Sequence, residues 1–168
     1  MVTVSTLTSA NKQNVQELNE LMVQLRHDHA QKTSVTLSEL KAIVKSQNMS
    51  LAVAKDGTRI VGVALLVIVQ RLGKRAAYIE DVVVDSTYRG EGFGEKIVRK
   101  LIAIARAEKV RTIGLTSRPA RIAGNKLYQK LGFEKKETNV YRLKLCKSDY
   151  GHRDIISRWT SRSTKKKR

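Results

Sequence analysis

The sequence predicts a single α/β domain of the α+β kind. Its centre is a mixed, mostly antiparallel, twisted sheet of about seven strands, with about four helices around it. Three observations lead there. A helix-containing N-terminal part gives way to a meander of strands joined by glycine turns, and then to a strand–helix–strand–helix order that implies a parallel crossover. The length, 168 residues, suits one ordinary domain. The hydrophobic fraction, 41%, is enough for a packed core and excludes wholesale disorder.

The elements follow in order. Val2, Val4 and Thr6 alternate with Thr3 and Ser5, as in a first strand. Asn11 is placed to cap a helix to about Arg26, in which Val15, Leu18, Leu21, Met22 and Leu25 recur at helical spacing. Thr36-Leu37-Ser38-Glu39 is a capping box that opens a second helix to about Ser46. Leu51 to Lys55 is a strand, Asp56-Gly57 a hairpin turn, and Arg59 to Gln70 a long strand whose unbroken apolar run implies burial on both faces. A turn at Leu72 to Arg75 leads into a strand from Ala76 to Asp85. Beyond a glycine loop, Gly94 to Lys109 is a helix with Ile97, Val98, Leu101, Ile102, Ile104 and Ala105 on one stripe. Thr112 to Thr116 is a fifth strand, and Ala120 to Leu131 a fourth helix closed by Gly132. Phe133 to Glu137 and Val140 to Leu145 pair as a final hairpin. Residues 1–146 form the domain, and residues 147–168 a basic, partly disordered tail.

Charge narrows the partners. Lys and Arg number 33 against 15 Asp and Glu, a formal net charge of +18. The last 23 residues hold eight of the bases and two of the acids, so the body is basic in its own right. Such a surface attracts polyanions: weak association with nucleic acid or ribosomes is one expectation, through the body or through Lys165 to Arg168. That last cluster also reads as a nuclear import signal or as a plain solvated end. One cysteine, Cys146, excludes an internal disulfide framework and a Cys-rich metal site. Met1 to Lys12 lacks the apolar run of a secretory signal. The longest apolar run, Ile60 to Val69, is too short to span a bilayer. These readings place the protein in the cytoplasm, with no membrane partner and no metal.

The segment richest in chemistry is Val82-Val83-Val84-Asp85-Ser86-Thr87-Tyr88-Arg89-Gly90-Glu91-Gly92-Phe93-Gly94. A strand enters a loop with three alternating glycines and leaves as a helix. Glycine lets the backbone approach a ligand and turn successive N–H groups into one concavity, and the positive helix end adds to the field. The product is an anion site suited to a pyrophosphate, with Arg89 at its rim. A dinucleotide fingerprint would need glycine where Glu95 stands, and a P-loop has no match at this loop.

With these residues the chain resembles the GNAT family of N-acetyltransferases. The family's Q/R-x-x-G-x-G/A signature reads here as Arg89, Gly92 and Gly94. Leu115-Thr116-Ser117-Arg118-Pro119, Ala123-Gly124-Asn125-Lys126-Leu127-Tyr128 and Leu131-Gly132-Phe133 continue it in order. The resemblance implies a GNAT-like sheet splayed between its fourth and fifth strands, with acetyl-CoA as cosubstrate in the splay. Backbone groups of Val82, Val83 and Val84 would line the cofactor arm and an oxyanion. Amides of Arg89, Gly90, Glu91, Gly92, Phe93, Gly94 and Glu95 would hold the pyrophosphate, with Ser117, Asn125 and Tyr128 on the far wall. Tyr128 would protonate the departing thiolate. Glu80, with Asp81 in reserve, would take the proton of a primary amine acceptor, since an alkyl ammonium of pKa about 10 cannot attack. Successive strand residues face opposite ways, so only one of the two carboxylates is expected to face the acceptor. Both also read as ordinary surface carboxylates, Asn125 as a solvated helix residue and Tyr128 as a core aromatic. Glu17, Glu20, Asp28 and Glu39 are candidates for an acidic acceptor lining, and His27 and His29 for acceptor contacts. The family's members are often homodimers. Two other functions stand beside the enzyme: a non-catalytic acyl-CoA-binding module, and a nucleic-acid-associated protein acting through its basic surface and tail.

Overall fold

The computed structural model describes residues 1–25 and 34–143. They belong to two units, Met1–Glu134 and a second that begins at Lys135. The first unit holds every helix and strand described. In order these are β1 (Val2–Thr6), α1 (Lys12–Leu25), α2 (Leu37–Lys45), β2 (Met49–Asp56), β3 (Arg59–Arg71), β4 (Lys74–Val84), a short 3₁₀ turn at Ser86–Tyr88, α3 (Phe93–Ala107), β5 (Thr112–Gly114) and α4 (Ile122–Lys130).

Local chemistry sets most boundaries. The Asn11 side chain accepts the Asn14 N–H at 2.8 Å and starts α1. Thr36 and Glu39 exchange both bonds of a capping box at the head of α2. Gly57 and Gly73 take positive φ in the two hairpin turns. Gly132, at φ +86, closes α4: its N–H reaches Gln129 O and that of Phe133 reaches Tyr128 O, a Schellman pair.

The sheet order is β1-β2-β3-β4-β5. The first four strands are antiparallel neighbours, and β5 runs parallel to β4. Helices cover both faces, as the unbroken apolar run of β3 requires. One face packs Ala52, Ala54, Leu66, Ile68, Ala77 and Ile79 against Ile97, Val98 and Leu101 of α3. The other packs Leu51, Val53, Ile60, Val63 and Val83 against Leu18 and Leu21 of α1 and Leu40 of α2.

Two features differ from the sequence expectation. The sheet has five strands rather than about seven, because residues 133–143 form no strand; residues 144 and 145 of the expected hairpin lie outside the described residues. Glu134 to Asn139 contains no apolar residue, so beyond Phe133 that arm of the hairpin has nothing to bury, and an isolated two-stranded ribbon is marginal in water. The second difference is a bulge in β4. Glu80 pairs with Leu65 and Val83 with Val63, so β4 carries one residue more than β3 across this step. Asp81, at φ +53, takes up the extra residue.

Gly62 marks the tightest contact between β3 and α3. A Cβ there would lie 2.9 Å from Ile97 Cδ1 and 3.4 Å from the Val83 carbonyl oxygen. Gly62→Ala is expected to destabilise the fold by about 1–3 kcal/mol through overpacking. Ile97→Val removes the crowded methyl, so the double variant should lose less than the two single losses added together. Denaturant unfolding of the four proteins measures the coupling; strict additivity would show that this contact does not set the spacing of strand and helix.

Candidate active site

The site begins where β4 and β5 part. They pair only from Ala76–Thr112 to Tyr78–Gly114. At the last rung a Cβ on Gly114 would lie 3.3 Å from the Tyr78 ring, a tight contact. Past it, β3 is the only strand neighbour of β4 among the described residues. The Asp85 N–H donates to Val61 O, which makes Val83 and Val63 the next hydrogen-bonded pair and turns the N–H and C=O of Val84 to the open edge. The sheet is thus splayed after its fourth strand, and a run of β4 backbone is available to an extended ligand.

At the end of that edge lies the glycine loop. Gly90 and Gly92 hold φ of +87 and +80, and a Cβ at either would meet nothing within 4 Å. Gly92 stands at the N-cap of α3 with no side chain capping the helix. The first-turn N–H groups are therefore left to a ligand or water, in a concavity open on the glycine side. Gly94 differs: it has no positive φ, and a Cβ would make ordinary contacts, 3.6 Å to Leu127 and 3.8 Å to Val84. Phe93 is buried in the core and anchors this end of the helix. Glu91 is exposed.

Several side chains brace the loop. Asp85, only 8% exposed, accepts from the Thr87 N–H at 3.0 Å and the Thr87 hydroxyl at 2.7 Å. Those bonds, then Gln24 and Arg59, hold its carboxyl below the usual Asp range. Gln24 of α1 accepts the Ser86 N–H at 2.9 Å and donates to Asp85 at 3.4 Å. Arg89 donates from Nε to Val84 O at 3.0 Å and reaches Gln24 at 3.4 Å. Its guanidinium ties the loop to the open strand edge. Tyr88 donates to Asp56 at 2.9 Å. Glu95, in the first turn of α3, pairs with Lys130 of α4 at 2.6 Å and with Arg99 at 2.8 Å, and these bonds lower its pKa. That pair joins α4 to the head of α3.

The opposite wall carries the remaining candidates. Ser117 Oγ is buried and has no hydrogen-bond partner among the described residues. A buried hydroxyl left so is unusual and suits a polar ligand group. Asn125 donates to Arg118 O at 3.0 Å and Pro119 O at 3.2 Å, fastening the loop before α4. Tyr128 packs on the core and edge-on to Phe133, with centroids 6.0 Å apart. Burial raises its pKa, with Arg121 opposing. Arg121 also donates to Leu25 O at 2.9 Å, linking the start of α4 to the end of α1.

On β4, Tyr78 and Glu80 alternate with Ile79, whose side chain enters the α3-side core. Their side chains therefore project toward the α1–α2 side. Partial desolvation, then the neighbouring Asp81, raises the Glu80 pKa. The bulge breaks the strict alternation between Glu80 and Asp81, and both are exposed. Glu17 and Glu39 are not free acceptor ligands. Glu17 is buried and accepts the Ile60 N–H at 3.1 Å, while Glu39 is held in its capping box. Asp28, His27, His29 and Cys146 lie outside the described residues. Gln24 and Arg121 escaped the sequence reading, since each acts across 60 or more residues of chain and leaves no local pattern; Asp85 escaped it although its main bonds are to Thr87, two residues on.

A backbone edge running to a glycine-lined helix end defines a site for an extended ligand that terminates in phosphates. The family model described as "Acetyltransferase (GNAT) family" matches residues 15–133, and the chain belongs to that family. It is 38% identical over 85 residues to glucosamine 6-phosphate N-acetyltransferase of Trypanosoma brucei brucei, over 49% of this chain and 56% of that protein. A glucosamine 6-phosphate N-acetyltransferase 1 from Oryza sativa subsp. japonica is 36% identical over 72 residues, 43% of this chain and 41% of its own length. The matches thus span about half the length of these curated relatives. A crystal structure of a Trypanosoma brucei acetyltransferase superposes with a TM-score of 0.68 at 28% identity, over 86% of this chain and all of the other.

Gly92 and Gly94 should respond differently to a methyl group. Gly92→Ala forces a left-handed residue and is expected to destabilise by about 1–2 kcal/mol. Gly94→Ala is expected to be neutral or slightly stabilising, because the space exists and alanine favours a helix. Thermal unfolding of both variants checks this. Equal losses would mean that crowding, not backbone conformation, places the glycines.

Proposed function

We propose that the protein is an acetyl-CoA-dependent N-acetyltransferase that transfers the acetyl group directly to a primary amine. The observation that carries this reading is Glu80, a carboxylate with a raised pKa beside the point where the β4 edge opens. We further propose an anionic amine as acceptor, with an amino-sugar phosphate the first to test. The two curated relatives carry that substrate in their names, and a basic body attracts it.

The residues present fit acetyl-CoA. The Val84 edge suits an arm that pairs like an added strand, the Gly90–Gly92 cradle suits a pyrophosphate, and the Ser117 hydroxyl needs a partner. When bound, acetyl-CoA supplies the activated acetyl thioester. The chain supplies position and proton traffic. Glu80 takes the proton that an acceptor ammonium must lose, and its raised pKa makes it a better base near neutral pH than an ordinary glutamate. Tyr128, held above the usual phenol range, keeps its proton at neutral pH and has one to donate to a leaving thiolate. The Arg121–Leu25 link ties the start of α4 to the end of α1 beside the site.

Turnover measured with glucosamine 6-phosphate, glucosamine and a polyamine tests the acceptor; the phosphate form should have the highest kcat/KM. Acetyl-CoA binding without turnover of any amine would instead indicate a non-catalytic binding module. The pH profile tests the base. Activity should rise with pH through a limb above the ordinary Glu range. Glu80→Gln should remove that limb and lower kcat about 10²–10⁴-fold. Asp81→Asn removes a like charge, so the limb should move to lower pH while turnover persists. The sign for stability is the reverse of a salt-bridged acid: ionised Glu80 opposes folding, so Glu80→Gln should not destabilise the protein at pH 7. A profile unmoved by Glu80→Gln would remove Glu80 from the mechanism.

A further inference from the structure

The helices divide unevenly by charge. The layer formed by α1 and α2 carries Lys12, Lys41 and Lys45 against Glu17, Glu20 and Glu39, an even balance. On the other face of the sheet, α3 carries Lys96, Arg99, Lys100 and Arg106, and α4 carries Lys126 and Lys130. The only acid on those two helices is Glu95. Glu95 is already neutralised by Arg99 and Lys130, and Glu108, just past α3, is paired with Arg75. Lys100, Arg106, Lys109 and Arg111 are exposed and have no ion-pair partner among the described residues. They run along the outer side of α3 and off its end.

This stripe exceeds what the glycine loop needs. The loop sits at the N-terminus of α3, whereas Arg106, Lys109 and Arg111 lie at or past its other end, about 20 Å away along a 15-residue helix. The outward positions between the cations are Ala103 and Ala107, with no aromatic residue. That composition disfavours two partners. A membrane-surface helix needs a free apolar face, and the apolar face of α3 is buried in the core. A single-stranded nucleic acid would be held by stacking on aromatic side chains. A ridge of fixed, unpaired cations with small residues between them suits the phosphate backbone of a duplex.

We propose that the outer face of α3, with Lys100, Arg106, Lys109 and Arg111, docks the phosphate backbone of duplex nucleic acid without reading sequence. The contact is separate from the acetyl-transfer site, so either reading stands or falls alone. The test uses the full chain and a fluorescent 20-base-pair DNA duplex, with an RNA duplex of equal length as a second arm. Anisotropy titrations over a salt series should give weak binding that falls with log salt at a slope of about −3 to −4, as expected for about four phosphates. Replacing Lys100, Arg106 and Arg111 by Gln should weaken binding at least tenfold at low salt. It should also flatten the slope by about one for each cation removed. Replacing Lys12, Lys41 and Lys45 by Gln removes the same charge from the other layer and should leave affinity and slope near those of the parent. Unchanged melting temperatures confirm that both variants fold. Equal weakening by the two variants would overturn the proposal in favour of net charge. Loss of binding only when Lys165, Lys166, Lys167 and Arg168 are replaced by Gln would overturn it in favour of the tail. Tighter binding to phosphatidylserine vesicles than to either duplex would overturn it in favour of a membrane surface.

Discussion

A strand that pairs on both edges for three residues and on one edge thereafter imposes a constraint on everything around it. Past Tyr78, β4 presents on that edge backbone donors and acceptors that no strand among the described residues receives. An open edge of this kind invites pairing with other chains unless it is short, twisted or occupied. Here the edge is short, the Asp81 bulge increases its twist, and the Val84 carbonyl is met by Arg89. What remains free is enough for one extended ligand. The glycine loop stands at the end of that edge because the strand leads directly into it.

The loop depends on side chains from distant elements. Glycines at positive φ gain access for a ligand at the expense of conformational order. Order is restored by Asp85 inside the turn, by Gln24 from α1, and by Arg89 between them. The Glu95–Lys130 pair does the same for the approach of α4 to α3. An exposed ion pair contributes little to global stability. Its value here is positional, since it sets where α4, with Tyr128 and Asn125, sits relative to the helix N-terminus.

Most of the frame was legible from local pattern. The capping box at Thr36, the Asn11 cap, the Asp56-Gly57 turn and the Gly132 cap each rest on contacts within five residues, and each appears where the pattern put it. The double burial of β3 was legible because a continuous apolar run has no polar face to show. The glycine loop was legible because only glycine takes φ near +80 freely. What failed was long-range or cumulative. An extra residue in β4 cannot be seen without its partner β3, so the alternation of Glu80 and Asp81 was read too strictly. The strand expected at 133–137 has only Phe133 as an apolar residue to bury. The roles of Gln24 and Arg121 depend on partners 62 and 96 residues away.

The direction of the Glu80 pKa shows how local and global electrostatics separate in this molecule. A net charge of +18 should, taken as a whole, favour the ionised carboxylate and lower the pKa. The shift is upward, caused first by desolvation and then by Asp81 next door. Screening explains the outcome. At physiological salt the field of exposed charges decays over about 8 Å, so cations on the far side of the sheet contribute little at Glu80. The two causes of the upward shift, partial desolvation and the carboxylate one residue away, are instead local to this exposed side chain. A strongly basic surface can therefore coexist with a carboxylate whose pKa is raised by its immediate surroundings.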